Sequence, residues 1–168
     1  MQVATLDHPF FGHCSTAGFT TEEVCWEKEI AVNGSGVDVA LWAPPDAPMR
    51  NGLDKGELDQ MADAVQHLTT LDEQARRHLL DYLDDDDAFI RHHLEEADAF
   101  PRVAELFPSG TTTPPDFAQA LQLVQVGLWL GHPDPIVMDY MIDPDHSDQV
   151  LAVKLGADGS LASIDWES

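Results

Sequence analysis

The sequence is short of positive charge. Eight Lys and Arg stand against 31 Asp and Glu, a formal net charge of −23 over 168 residues. No basic patch exists to displace counterions from phosphates, so direct binding to DNA or RNA is disfavoured. An anionic membrane surface is disfavoured on the same ground. Cysteine is almost absent. Cys14 and Cys25 are the only two, enough for one bridge but not for a disulfide framework. They are not spaced as a C-x-x-C redox pair, and read as small buried or half-buried residues. No run approaches the roughly 18 apolar residues that a membrane span needs. The N-terminal "MQVATLDHPFFGH" has neither a basic n-region nor a long apolar stretch, so it does not read as a signal peptide. A cytoplasmic protein with reduced thiols is the expectation.

What is present suffices for a core. Hydrophobic residues make up 43% of the chain, and the length fits one domain over residues 1–168. The order along the chain is strands (about 22–43), helices (about 54–121), then strands (about 121–166). "EEVCWEKEIAV" places Val24, Trp26, Ile30 and Val32 in one row, with Glu27 and Glu29 opposite. "NGSG" (33–36) is a turn signal, and "VDVALWA" (37–43) alternates again, so a hairpin is expected. "PPDAP" (44–48) ends it. Asp54 with Glu57, flanked by Leu53 and Leu58, predicts a capped helix start. Thr70 with Glu73 predicts a second. A third helix is expected to begin near Asp86 or Asp87, and a short one over Asp116–Leu121 after Pro114 and Pro115. "LQLVQVGLWL", "IVMDYMI", "QVLAVKL" and "LASIDW" are separated by short turns, which predicts an antiparallel meander. The expected fold is α+β: an antiparallel sheet of about six strands with the helical middle on one face.

Catalytic signatures are missing. There is no G-x-S-x-G, no Walker loop and no G-x-G-x-x-G. "DPDHSD" (143–148) starts like a calcium loop but has Asp148 where glycine is required and Lys154 where a bidentate Glu is required. "HPFFGHC" (8–14) offers His8, His13 and Cys14, yet with Cys25 the spacing matches no common zinc pattern. "AVK" (152–154) has Ala152 where a restriction-type nuclease needs an acid. His93 shares the apolar helix face with Phe89, Ile90 and Ala97, and reads as a half-buried histidine at the core edge. The aspartate run 84–87 suits a helix N-terminus, where carboxylates meet the positive end of the dipole.

Several phrases together carry a family likeness: "HPFFG" (8–12), "WEKEIAVNG" (26–34), "LDEQAR" (71–76), "VMDYMI" (137–142), "SDQVLAVKL" (147–155) and the final "ES". In this order the chain resembles the bacterial domain-of-unknown-function family two-thousand-and-four. The resemblance implies a small cytosolic bacterial α+β protein. It implies no activity, so no catalytic residue is carried over.

Two functional expectations follow. The first is a non-catalytic interaction module for a basic protein, such as an immunity protein neutralising a cationic toxin, since opposite charge steers association. Its surface would be Asp81, Asp84, Asp85, Asp86, Asp87, Glu95 and Glu96. The alternative is a metal-assisted hydrolase built from His132, Asp139, Asp143 and His146. The first expectation implies no cofactor. Monomer and dimer are both compatible with the sequence.

Overall fold

A computed structural model describes residues 5–16, 23–43 and 53–168. Strands β1 (Thr5–His8) and β2 (Gly12–Ser15) form a small antiparallel hairpin of their own. Strands β3 (Glu23–Val32), β4 (Ser35–Ala43), β5 (Gln122–Trp129), β6 (Ile136–Met141), β7 (Val150–Leu155) and β8 (Leu161–Glu167) lie side by side in that order in a six-stranded sheet. The connection from β4 to β5 carries the helices α1 (Lys55–Gln66), α2 (Leu68–Asp85), α3 (Ala88–Glu95), α4 (Pro101–Leu106) and α5 (Pro114–Ala120). The fold is α+β, as the sequence predicts.

One pairing differs from the expected antiparallel sheet. β4 and β5 run parallel, and Trp42 stands beside Trp129. A tight turn can only return a strand antiparallel, whereas a long helical crossover can bring the chain back in the same direction. The remaining pairs in the sheet are antiparallel.

The β3–β4 turn is made by Asn33 (φ 51°) and Gly34 (φ 84°). Both residues are left-handed, which matches the twist of the strands they join. The register slips between Val24 and Trp26, with Val24 beside Trp42 and Trp26 beside Leu41. Cys25 is the extra residue of this bulge, so Val24 faces the opposite side from Trp26. The single row expected from the sequence is corrected there. "PPDAP" lies outside the described residues.

The helix starts follow the sequence in part. Asp54 caps α1 by accepting from the Gly56 N–H at 3.1 Å. Glu57 does not close a capping box; its carboxylate accepts from the Gly131 N–H and ties α1 to the β5–β6 loop. α2 starts at Leu68 rather than near Thr70, and its N-cap His67 has no capping side chain. Thr113 caps α5 through the Asp116 N–H.

One face of the sheet carries the core. Val37, Val39, Leu41, Val126, Leu128, Ile136, Met138, Tyr140, Leu151 and Val153 are buried there. They belong to one core with Leu58, Met61, Leu79, Leu83, Phe89 and Phe117 from the helices. The β1–β2 hairpin, unforeseen from the sequence, shares no ladder with the large sheet. It is held by side chains. His8 donates from Nε2 to Asp59 at 2.7 Å, while its Nδ1 accepts the Phe10 and Phe11 N–H groups. Phe11 meets Trp26 edge-on at 4.9 Å.

Of the buried polar and charged residues among those described, His93 and Asp72 are the most deeply enclosed. His93 is fully buried, where half-burial was expected. Its Nδ1–H donates to the Phe89 carbonyl, so Nε2 accepts from the Ser147 hydroxyl. Ser147 in turn accepts the Gln149 N–H. Asp72 is 1% exposed and accepts from Tyr140, Asn33 and Arg76. Arg76 also caps the carbonyls of Ala118 and Leu121 at the end of α5. A buried carboxylate is tolerable only when satisfied to this degree.

Candidate functional site

The aspartate run straddles a helix joint. Asp84 and Asp85 end α2, Asp86 is its C-cap, and Asp87 precedes α3. Asp86 accepts the Ala88 N–H at 3.0 Å, and Asp87 pairs with Arg91 at 2.8 Å. Asp86 thus satisfies an amide at the start of α3, whereas Asp87, at the N-cap position, makes no capping hydrogen bond. Asp81, Asp84 and Asp85 instead sit in the last turns of α2, at the negative end of its dipole, where a carboxylate is mildly unfavourable. All of them are exposed, as are Glu95 and Glu96 around the end of α3.

The four residues of the metal alternative fall into two pairs. His132 and Asp139 line a groove on the sheet. Asp143 and His146 line a separate depression beside α4. Asp143 is already committed, accepting from the His146 ring at 3.0 Å and from the Arg102 N–H at 3.1 Å. Burial alone would raise its pKa, but these bonds outweigh burial and lower it. Among the described residues, no three His, Cys, Asp or Glu side chains meet in a metal-holding arrangement.

The groove itself lies on the face of the sheet turned away from the core. Strand alternation builds it, because every second residue of β4 to β8 points there. β5 presents Gln125, Gly127 and Trp129; β6 presents Val137 and Asp139; β7 presents Lys154, and β8 presents Glu167. The groove has a volume of about 460 Å³, with His132 and Asp134 of the β5–β6 loop at one end. A second depression, of about 360 Å³, continues over β3 and β4 past Glu27, Glu29 and Asp38. Gln125 lines both.

Two indoles stand at this face. The Trp42 and Trp129 rings stack at 4.9 Å with 9° between their planes. The parallel β4–β5 register puts their backbones side by side. Gly127 makes room for the stack, since a Cβ there would lie 2.6 Å from Trp129 Nε1. The Trp42 Nε1–H is buried without an acceptor among the described residues. His132 meets the edge of Trp129 at 6.0 Å.

Charge in the groove is unbalanced. Among the described residues, Lys154 is the one lysine or arginine that lines it, and its ammonium is already shared between Asp165 at 2.9 Å and Glu167 at 3.2 Å. Asp139 lies half-buried on the floor. Its pKa is pushed up to about 6, chiefly by burial, with Glu167 adding repulsion and Lys154 opposing it. Near neutral pH, the groove therefore holds a carboxylate at the edge of ionisation beside an aromatic shelf.

Of the residues singled out from sequence, the fold places Asp139 and His132 in this groove. Trp42, Trp129 and Glu167 were missed. The alternation of Gln125, Gly127 and Trp129 with buried neighbours was a usable signal. The pairing of residues 42 and 129 was not, because it depends on a parallel contact made after a long crossover. In comparisons with family models, curated proteins and solved structures, the chain matches none. No helix among the described residues is long and apolar enough to cross a membrane.

Proposed function

We propose that the chain is a non-catalytic binding module for a basic protein segment, and that the segment lies across the helix-free face of the sheet. The observation that carries this reading is the Trp42–Trp129 stack, whose Trp129 lines the groove with Asp134, Asp139 and Glu167 and whose Trp42 lines the adjoining depression with Glu27, Glu29 and Asp38. An arginine or lysine over an indole face gains about 0.5–2 kcal/mol, more when partly desolvated. Asp134, Asp139 and Glu167 supply opposite charge around the same shelf. The net charge of −23 adds long-range steering toward such a partner. A module of this kind suits the neutralisation of a cationic toxin. Membership of the family named from the sequence phrases is proposed alongside it and is not needed for it.

This reading moves the contact surface from the helix joint to the sheet. Titration with an arginine-rich peptide, followed by Trp fluorescence and calorimetry, tests it. Trp129→Ala and Glu167→Gln should each weaken binding about tenfold, equivalent to about 1.4 kcal/mol. Replacing Asp84, Asp85, Asp86 and Asp87 together by Asn should cost less than about threefold, a value set by screened surface charge. A peptide that binds neither protein, or one whose affinity depends on the aspartate run and not on Trp129, overturns the proposal.

A further inference from the structure

The six-stranded sheet ends on β3 at one side and on β8 at the other. An edge strand leaves a row of N–H and C=O groups unpaired, and folds blunt it with lysine, proline or a bulge, or cover it. β3 has such protection. It carries Lys28 and the bulge at Cys25, and the β1–β2 hairpin packs beside it through Phe11 and Trp26. β8, "LASIDWE", has neither lysine nor proline. Its one irregularity lies at its start, between the Leu155–Leu161 and Lys154–Ser163 pairs, so residues 163–167 are regular. Among the described residues, no backbone group bonds β8 from its outer side.

The two faces of β8 differ. Leu161 stands beside Leu155, Ile164 beside Val153 and Trp166 beside Leu151, and these partners are buried on the helix side of the sheet. Trp166 also meets Phe89 edge-on at 5.2 Å. Yet Leu161 is 41% and Trp166 39% exposed, and Ile164 is half-buried. The core-facing row is thus left partly open at the sheet edge. The opposite face carries Asp165 and Glu167, which share the Lys154 ammonium. Two carboxylates divide one cation there, and one negative charge is left over.

The geometry points to β8 as a docking edge for an extended segment of a basic protein, added to the sheet as a seventh strand with lysine or arginine on the groove side and apolar residues on the helix side. The inference rests on the preceding reading for the charge of the partner, but not for the place of contact. Main-chain bonds to β8 supply affinity, and the alternation of side chains supplies specificity. A cation opposite Asp165 would stand at cross-strand range, about 5 Å between Cβ atoms, and would give the second carboxylate a partner of its own. Apolar residues on the other face would cover Leu161, Ile164 and Trp166. A second copy of this chain fits less well. Two β8 strands paired antiparallel bring Asp165 and Glu167 toward their counterparts, in chains that each carry −23, and like charges across a strand pair are destabilising.

The test is amide exchange of the whole isotope-labelled chain, followed by NMR, with and without a capped heptapeptide of alternating lysine and valine. At saturation, alternate amides over residues 161–167 should exchange at least about tenfold more slowly, as new main-chain bonds require. The glutamate–valine counterpart should leave them unchanged. Two N-methylated forms of the lysine peptide, one blocked at its valine amides and one at its lysine amides, keep the charge and the side chains. One of the two should bind at least about tenfold more weakly than the parent, because it loses main-chain donors. Asp165→Asn should weaken binding of the parent about threefold. Trp129→Ala should leave the β8 protection in place, so failure of the groove reading and failure of this one are told apart. Binding without slowed exchange in β8, equal binding of the parent and both methylated forms, or no binding at millimolar peptide overturns the inference. So does β8 protection that grows with protein concentration in the absence of peptide.

Discussion

Replacing Asp139 with Asn removes a charge that the groove resists. In the folded chain its pKa is pushed up to about 6, against 3.8 for the ordinary carboxyl. Between those values the native state binds a proton that the unfolded state releases. The stability this contributes is complete below about 3.8 and is lost as the pH rises through about 6. A separation of about two pH units, at about 1.36 kcal/mol each, sets an upper limit near 3 kcal/mol at pH 7.5. The side chain is partly exposed and water screens it, so about 1–2 kcal/mol is the expected effect. Asp139→Asn should therefore stabilise the protein by that amount at about pH 7.5, raising Tm by about 3–6 °C. At about pH 4 the gain should shrink to a few tenths of a kcal/mol. Urea titrations of both proteins across this range, followed by Trp fluorescence, measure the difference directly. A variant that is less stable at pH 7.5, or a difference that ignores pH, would refute the electrostatic reasoning.

Four further outcomes are expected. Binding of an arginine-rich peptide should weaken as pH drops from about 7 to 5, because Asp139 becomes neutral; calorimetry in buffers of different ionisation enthalpy should detect proton release on binding. Burial lowers the His93 pKa below its ordinary 6.5, so its stabilisation is intact above that value and fades as the pH falls through the window below it. The advantage of wild type over His93→Gln in urea melts should accordingly shrink on acidification, and growth of that advantage would count against the neutral Nδ1–H assignment. Gly127→Ala should force Trp129 off the stack and abolish the exciton signal of the paired indoles in circular dichroism. Removal of the buried carboxylate in Asp72→Ala should cost about 3–5 kcal/mol, since Arg76 loses its partner, whereas Tyr140→Phe should cost about 1.5–3 kcal/mol for one hydrogen bond to a charge; equal effects in denaturant titrations would contradict the network.

The strands of the large sheet and most helices were legible because their signals are local. Asn33 and Gly34 specify a turn by backbone freedom alone, and Asp54 and Thr113 cap helices through amides two and three residues away. The elements that escaped depend on contacts between distant residues. Glu57 leaves its capping box because Gly131, brought alongside by the fold, offers a better-placed N–H. The β1–β2 hairpin owes its position to His8 meeting Asp59 and Phe11 meeting Trp26.

The candidate site shows the same division at closer range. A charge inside the apolar strand "VMDYM" draws attention to Asp139, yet alternation alone reads it as one more residue on a wet face. What distinguishes it is its surroundings: Glu167 from β8, Lys154 from β7 and an aromatic shelf joined across the parallel β4–β5 pair. The acids at the helix joint are conspicuous in sequence but exposed, so screening leaves each with little to offer a partner. Those around the stack are fewer and are placed beside apolar surface, where the same charge acts more strongly. A cation seated there would relieve the repulsion between Asp139 and Glu167 and cover the indoles in one step. For a chain already carrying −23, holding a reluctant carboxylate in a groove is costly in the free state at neutral pH, and under the proposed binding reading a cationic partner would offset that cost.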